Sequence, residues 1–240
     1  MKTILYLSVG LVALSLNVLT AAESKDIDLR TKDGITLKAT YTSPGLPGPG
    51  MFLIHQCNMD RASWIGITEE LVSAGIHVLT LDLRGFGDSG GEGISGGFPS
   101  FLEKSAFDAD LAFEFLVAQP GVDPLRIGVG GASCGGMILA DLVSRRTDVK
   151  ALMLLSSPPS EKAVKGMVAN PGLAIFAAAT EEDPVTVGVA DTLQGVVNDS
   201  KHPDSTVKIF SGTEHGLPMF EKNPSLKPAL LIWLKARLTD

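Results

Sequence analysis

Hydrophobic and polar positions change rhythm along this chain. Residues 26–30 and 35–41 alternate apolar and polar side chains on either side of Lys32-Asp33-Gly34. That period of two about a tight turn predicts an antiparallel hairpin. Beyond the Pro- and Gly-rich stretch 44–50, alternation gives way to short continuous apolar runs at 51–54, 76–81, 127–130, 151–155, 173–179 and 207–210. Stretches with apolar residues at helical spacing separate most of them, at 62–73, 101–118, 137–145 and 185–197, and a last one closes the chain at 226–238. Strands that are apolar without alternation are buried on both faces, as happens when crossover helices cover a parallel sheet. The expected fold class is therefore α/β: a mainly parallel sheet with an N-terminal antiparallel hairpin and helices on both faces.

Length and composition narrow this picture only a little. A chain of 240 residues, 45% hydrophobic and 20% charged, fits one sizeable domain with its own core. The formal charge of −7, with no dense window of Lys and Arg, argues against a nucleic-acid partner. Ahead of the hairpin the composition shifts. Lys2 precedes an uncharged apolar run, 3–20, which ends at Ala21 and Ala22. A basic start, an apolar middle and small residues are the order of a secretory signal peptide, expected here as residues 1–22. A retained membrane anchor is the alternative, but Ser8, Gly10, Ser15 and Asn17 interrupt the run. The expectation is a secreted or periplasmic domain, residues 23–240, with no stable membrane insertion after cleavage. With no cysteine in or just after this segment, a lipid anchor is not expected.

In open parallel sheets ligands bind at the carboxyl ends of the strands, so the residues that follow each apolar run carry the chemistry. After 127–130 the chain reads Gly131-Ala132-Ser133-Cys134-Gly135, which fits G-x-S-x-G, the tight strand-to-helix turn called a nucleophile elbow. Glycines two positions either side of the serine clear space for a strained turn, and the following helix aims its N-terminal N–H groups at the site. Ser133 is the expected nucleophile.

A serine hydroxyl needs a neighbouring base, and the chain has four histidines. His77 starts its apolar run, at the wrong end of the sheet, and His202 reads as a loop residue. His55 and His215 both follow strands at the right end. His215 lies in Ser211-Gly212-Thr213-Glu214-His215-Gly216, a late glycine-flanked loop able to bring a base to the serine. For the acid that fixes the histidine, the stretch after 173–179 offers Glu181, Glu182 and Asp183, with Asp191 further off.

Together these segments resemble the α/β-hydrolases, in particular the dienelactone-hydrolase-like and small serine-esterase branch. The resemblance spans nearly the whole mature chain. It rests on the KDG turn, LTLDLRGFGDSGG from Leu79, RIGVGGASCGG from Arg126, EEDP at the acid loop, and GTEHG from Gly212. In this family the chain order is serine, acid, histidine. The resemblance implies Ser133 as nucleophile, Asp183 as acid and His215 as base, and a purely structural role for the turn containing Asp82, Arg84, Gly85, Gly87 and Ser89. It also implies an oxyanion hole made by the backbone N–H groups of Cys57 and Cys134. Two departures stand out. Dienelactone hydrolases proper carry cysteine as the nucleophile, so their substrate does not transfer. Many members have His-Gly after the third strand, where this chain has His55-Gln56-Cys57, and Gln56 is then itself a potential donor.

The only two cysteines thus fall on the two implied hole positions. Donors that each lie about 2.9 Å from one oxygen are within about 6 Å of each other, a separation a disulfide can span. The simpler expectation is two small, buried, inert thiols.

The expected function is a serine hydrolase that cleaves small-molecule carboxylic esters through an acyl-enzyme. No cofactor or metal is expected, because no His and Cys cluster has ligand spacing. A peptidase or acyltransferase with the same triad is the enzymatic alternative; a non-catalytic binding protein on a hydrolase fold is the other. Residues 156–171 leave little room for an inserted lid, which suits small or exposed acyl groups.

Overall fold

The hairpin forms as β1 (Glu23–Arg30) and β2 (Thr36–Ser43), paired antiparallel with Leu29 opposite Leu37 and Ile27 opposite Ala39. This computed structural model describes residues 22–239; the expected signal peptide, Ala22 apart, lies outside the described residues. The six apolar runs become β3 (Gly48–Ile54), β4 (His77–Leu81), β5 (Val122–Ala132), β6 (Val149–Leu155), β7 (Ala174–Thr180) and β8 (Thr206–Phe210). They join one eight-stranded sheet in the order β1-β2-β4-β3-β5-β6-β7-β8. β2 meets β4 antiparallel, and every pair from β4 to β8 is parallel.

Strand pleating sends neighbouring side chains to opposite faces, and the core divides accordingly. Phe52 and Ile54 of β3, with Leu152 and Leu154 of β6, meet α2 (Phe98–Val117), α3 (Cys134–Ser144), α4 (Glu161–Ala169) and α5 (Val189–Asp199) on one face. Met51 and Leu53, with Met153 and Phe176, meet α1 (Ile65–Ser73), the single turn α6 (Met219–Lys222) and α7 (Leu226–Leu238) on the other. Helices on both faces explain why the central strands carry continuous apolar runs rather than alternation.

Several boundaries differ from those expected, three of them for clear local reasons. The stretch 156–171 carries α4, whose only buried apolar side chains are Ala163 and Met167. So few buried positions give little periodicity, yet Ser160 caps the helix by accepting the Ala163 N–H, and Gly166 packs on Ser144. Helix α5 starts at Val189 rather than at 185, because the Asp183 carboxylate takes the Val185 and Thr186 N–H groups and Gly188 turns left-handed at φ 78°. Residues 61–64 wind as a 3₁₀ turn ahead of α1, capped by Asp60.

The turn after β4 is a bracket of buried charge. Fully buried Asp82 accepts the Arg61 N–H at 2.6 Å and the Asp88 N–H at 2.9 Å, and also pairs with the Arg61 guanidinium. Arg84 grips Asp108 of α2 through two bonds of 2.6 and 2.7 Å and reaches Asp33 in the hairpin turn at 2.9 Å. That grip holds the Asp33 carboxyl down at about 2.

Strand order reverses at β3, with β4 on one side and β5 on the other. Chains leaving the carboxyl ends of β3 and β5 therefore turn apart and open a crevice, the place where such sheets bind ligands.

Candidate active site

Ser133 stands at this crevice, between the end of β5 and the first residue of α3. Its backbone sits at φ 50°, ψ −125°, a conformation L-residues avoid and that persists only where the surroundings enforce it. Those surroundings are explicit. The Ser133 N–H is held by the Leu155 carbonyl at 2.8 Å, and the Ser133 carbonyl accepts the Met137 N–H at 3.1 Å, starting the helix. A Cβ on Gly131 would overlap the backbone of Gly135 and Gly136; one on Gly135 would overlap the carbonyls of Ile54 and His55. The glycines at both ends of the motif are thus required sterically. Alanine at Gly135 is expected to lower stability by about 3 kcal/mol, since backbone rather than a flexible side chain must move; urea denaturation of Gly135→Ala checks this.

His215 and Asp183 meet on the adjoining loops. His215 Nδ1 lies 2.7 Å from Asp183 Oδ2, with Thr186 Oγ1 at 3.4 Å, and Asp183 is only 4% exposed. The other oxygen, Oδ1, accepts the Val185 and Thr186 N–H groups at 2.9 and 3.0 Å. Burial by itself pushes the Asp183 carboxyl up, but the bonds from His215, Thr186 and Val185 outweigh it, and the net effect holds it below the usual carboxylate range. A carboxyl depressed by folding adds stability in full above its unfolded value of about 3.9, and that contribution fades as the pH falls through the folded value. The stability gap between wild type and Asp183→Asn should accordingly hold above about pH 5 and shrink as the pH falls below about 4 in urea melts.

The other acids drop away: Glu181, Glu182 and Asp191 are exposed, and no bond joins any of them to His215 among the described residues. His55 is excluded as the base by its own bonds. It is fully buried, its Nε2 accepts the Leu83 N–H at 3.0 Å, and its Nδ1 faces the Gln56 carbonyl at 2.8 Å. Burial moves its pKa down, so it stays a neutral structural ring. His77 is likewise buried, bonded to the Tyr41 hydroxyl at 2.7 Å and near the Leu46 carbonyl at 3.0 Å. His202 sits half-buried near Asp204.

Three polar side chains clamp the histidine loop, and two of them, Ser156 and Thr180, were given no role from the sequence. Ser156, at φ 48° and fully buried, accepts the Gly216 N–H at 3.0 Å. Thr180 donates to the Glu214 carbonyl at 2.9 Å. Gln56 Oε1 accepts the Leu217 N–H at 2.9 Å while its amide donates to Asn58 at 2.8 Å. Gln56 therefore ties the loop after β3 to the histidine loop. These clamps press Gly216 so close that a Cβ there would strike Gln56 and stand 3.5 Å from Ala132 Cβ, which brings the histidine loop against the serine turn. The Ser133 hydroxyl itself finds no hydrogen-bond partner among the described residues; such bonds commonly close only around substrate. The signal for the clamps was positional: Ser156 and Thr180 directly follow buried apolar runs, and Gln56 stands one residue further beyond its own.

Cys57 and Cys134 are joined by a disulfide, with Cα atoms 5.9 Å apart. The expectation of two inert thiols is overturned. The two cysteines, far apart in sequence, are the third residues beyond the last β3–β5 ladder pair, Ile54 opposite Gly131, so the bond crosses the crevice where the strands part. Closing a loop of 77 residues is worth about 4 kcal/mol in the chain-entropy account.

Residues 51–182 match the family described as serine aminopeptidase, S33. An uncharacterized protein of Mycobacterium tuberculosis is 32% identical over 175 residues, 72% of this chain; the chain spans 58% of that relative's length. Among solved structures, a Pyrococcus furiosus esterase superposes with a TM-score of 0.73 at 18% identity, over 90% of this chain and 93% of the esterase. A dienelactone hydrolase-like protein of Klebsiella pneumoniae gives 0.67 at 13% identity, over 90% and 99%.

Proposed function

The chain belongs to the serine aminopeptidase S33 family of α/β-hydrolases, and from that premise we propose that it is a serine hydrolase cleaving carboxylic esters through an acyl-enzyme. The observation that carries this reading is the buried Asp183–His215 pair, set on loops that press against a serine held at φ 50°.

Each group has a defined task. Asp183 accepts the Nδ1 proton of His215, so Nε2 presents a lone pair. Nε2 takes the proton from Ser133 Oγ as that oxygen bonds to the ester carbonyl carbon. The carbonyl electrons move onto oxygen, where the N–H groups of Cys57 and Cys134 receive the charge, helped by the positive end of α3. Collapse expels the alkoxide, which leaves as alcohol with the proton from His215. Water, deprotonated in turn by His215, attacks the acyl-enzyme, releases the carboxylic acid and restores Ser133. The substrate expected is a small-molecule ester, because the segment between β6 and β7 holds only the short α4 and no inserted lid. Turnover of short p-nitrophenyl esters by wild type, lost in Ser133→Ala, tests the reading.

A second reading, amide cleavage, is favoured by the family's description as serine aminopeptidase. Parallel assays with an ester and an amide of the same acyl group separate the two.

Residues 1–22 enter the proposal as a cleaved signal for export, with 23–240 as the mature domain. The basic, apolar and small-residue order of that segment supports this, as does the disulfide, because such bonds persist in oxidising compartments. N-terminal sequencing of secreted or periplasmic protein, beginning at residue 22 or 23, is the expected result.

A further inference from the structure

We propose that Cys57 and Cys134 are positioning residues: their disulfide sets the distance between the two N–H groups that receive the oxyanion. This rests on the serine-hydrolase reading and adds to it a specific device.

Ladder hydrogen bonds hold β3 and β5 in register up to Ile54 and Gly131. Beyond that point, one chain leaves as the His55–Met59 loop and the other turns into α3. The loop has its own anchors. The Asn58 and Met59 N–H groups turn back onto the Gln56 carbonyl at 2.8 and 3.0 Å, and His55 and Gln56 tie it to Leu83 and Leu217. None of these bonds runs to the serine turn. Among the described residues no hydrogen bond crosses the gap; the disulfide does, and Gly135 packs on the Ile54 and His55 carbonyls.

Each proposed donor belongs to a cysteine's own backbone, so the path N–Cα–Cβ–S–S–Cβ–Cα–N connects them through the shortest covalent link that side chains allow. Both N–H groups are also without a protein acceptor among the described residues, as donors reserved for a substrate oxygen must be. Oxyanion stabilisation depends on donors fixed before charge develops, and a misplacement of about 1 Å costs about 10²-fold in rate. Cys134 is buried, but Cys57 is half-exposed, which leaves the bond open to attack by a thiolate from the crevice.

The test uses the purified, oxidised protein, the same protein treated with dithiothreitol, and the C57S/C134S double variant. In the reduction, two thiols of the reagent supply two electrons and two protons. The S–S bond becomes two S–H groups, and the reagent closes to its cyclic disulfide. Thiol titration should rise from zero to two. A fluorophosphonate counts the competent serines, and p-nitrophenyl acetate gives kcat and KM. The expected result is an unchanged number of labelled serines, kcat per labelled site about 10²-fold lower in both reduced and C57S/C134S protein, and KM within about twofold.

Complete reduction with kcat per labelled site unchanged overturns the proposal. So does a fall in activity that merely tracks a fall in labelled serines and in the folded fraction by circular dichroism, since the bond would then serve stability alone. If the oxidised wild type is neither labelled nor active, the serine-hydrolase reading itself fails, and this inference falls with it.

Discussion

On the serine-hydrolase reading, Ser133→Ala is expected to lower ester hydrolysis by about 10⁶-fold while leaving the fold intact. The size follows from the loss of a unit: without Oγ there is no atom to form the acyl-enzyme, and His215 has no proton to take. Only the residual effect of binding and the oxyanion donors remains, about 10³- to 10⁴-fold over water. Stability survives because the Ser133 hydroxyl has no protein partner among the described residues to lose. Alanine also carries the same Cβ at φ 50° that serine already tolerates. Paired measurements of kcat and of the thermal midpoint check both halves of this expectation.

Asp183→Asn is expected to lower kcat by about 10⁴-fold, and the hydrogen bonds around it say why. Oδ1 accepts the Val185 and Thr186 N–H groups, a position only an oxygen can fill. In the asparagine variant the amide oxygen must stay there, so the NH₂ group faces His215 Nδ1 where Oδ2 stood. A donor facing Nδ1 forces the ring proton onto Nε2, the wrong tautomer for taking a proton from serine. KM should change little, because Asp183 acts through the histidine. Retention of most activity in Asp183→Asn would show that His215 does not depend on Asp183 for its tautomer.

The fold was readable because its hairpin alternates, its central strands carry continuous apolar runs and its helices are periodic, signals that depend only on nearby residues. The elements around the serine were readable for a related reason: Gly131 and Gly135 answer to a local steric demand. Asp183 and His215 stood out because few acids and histidines follow a strand at the correct edge.

What stayed hidden depends on distant partners. The Gln56–Leu217 bond joins residues 161 apart, and no periodicity records such a pairing; the disulfide, between residues 77 apart, was open to the sequence only as one of two alternatives, through the two implied hole positions. Helix α4 escaped because only Ala163 and Met167 of its apolar residues are buried. The start of α5 was misplaced because the Asp183 carboxylate captures two N–H groups that a helix beginning at 185 would have used.

Labelling by a fluorophosphonate, with the adduct located by mass spectrometry, tests the central claim without knowledge of the natural substrate. The account predicts one adduct, on Ser133, formed by the native protein, absent after heat denaturation and much slower in Asp183→Asn. A native protein that forms no adduct, or forms it on another residue, would contradict an activated Ser133.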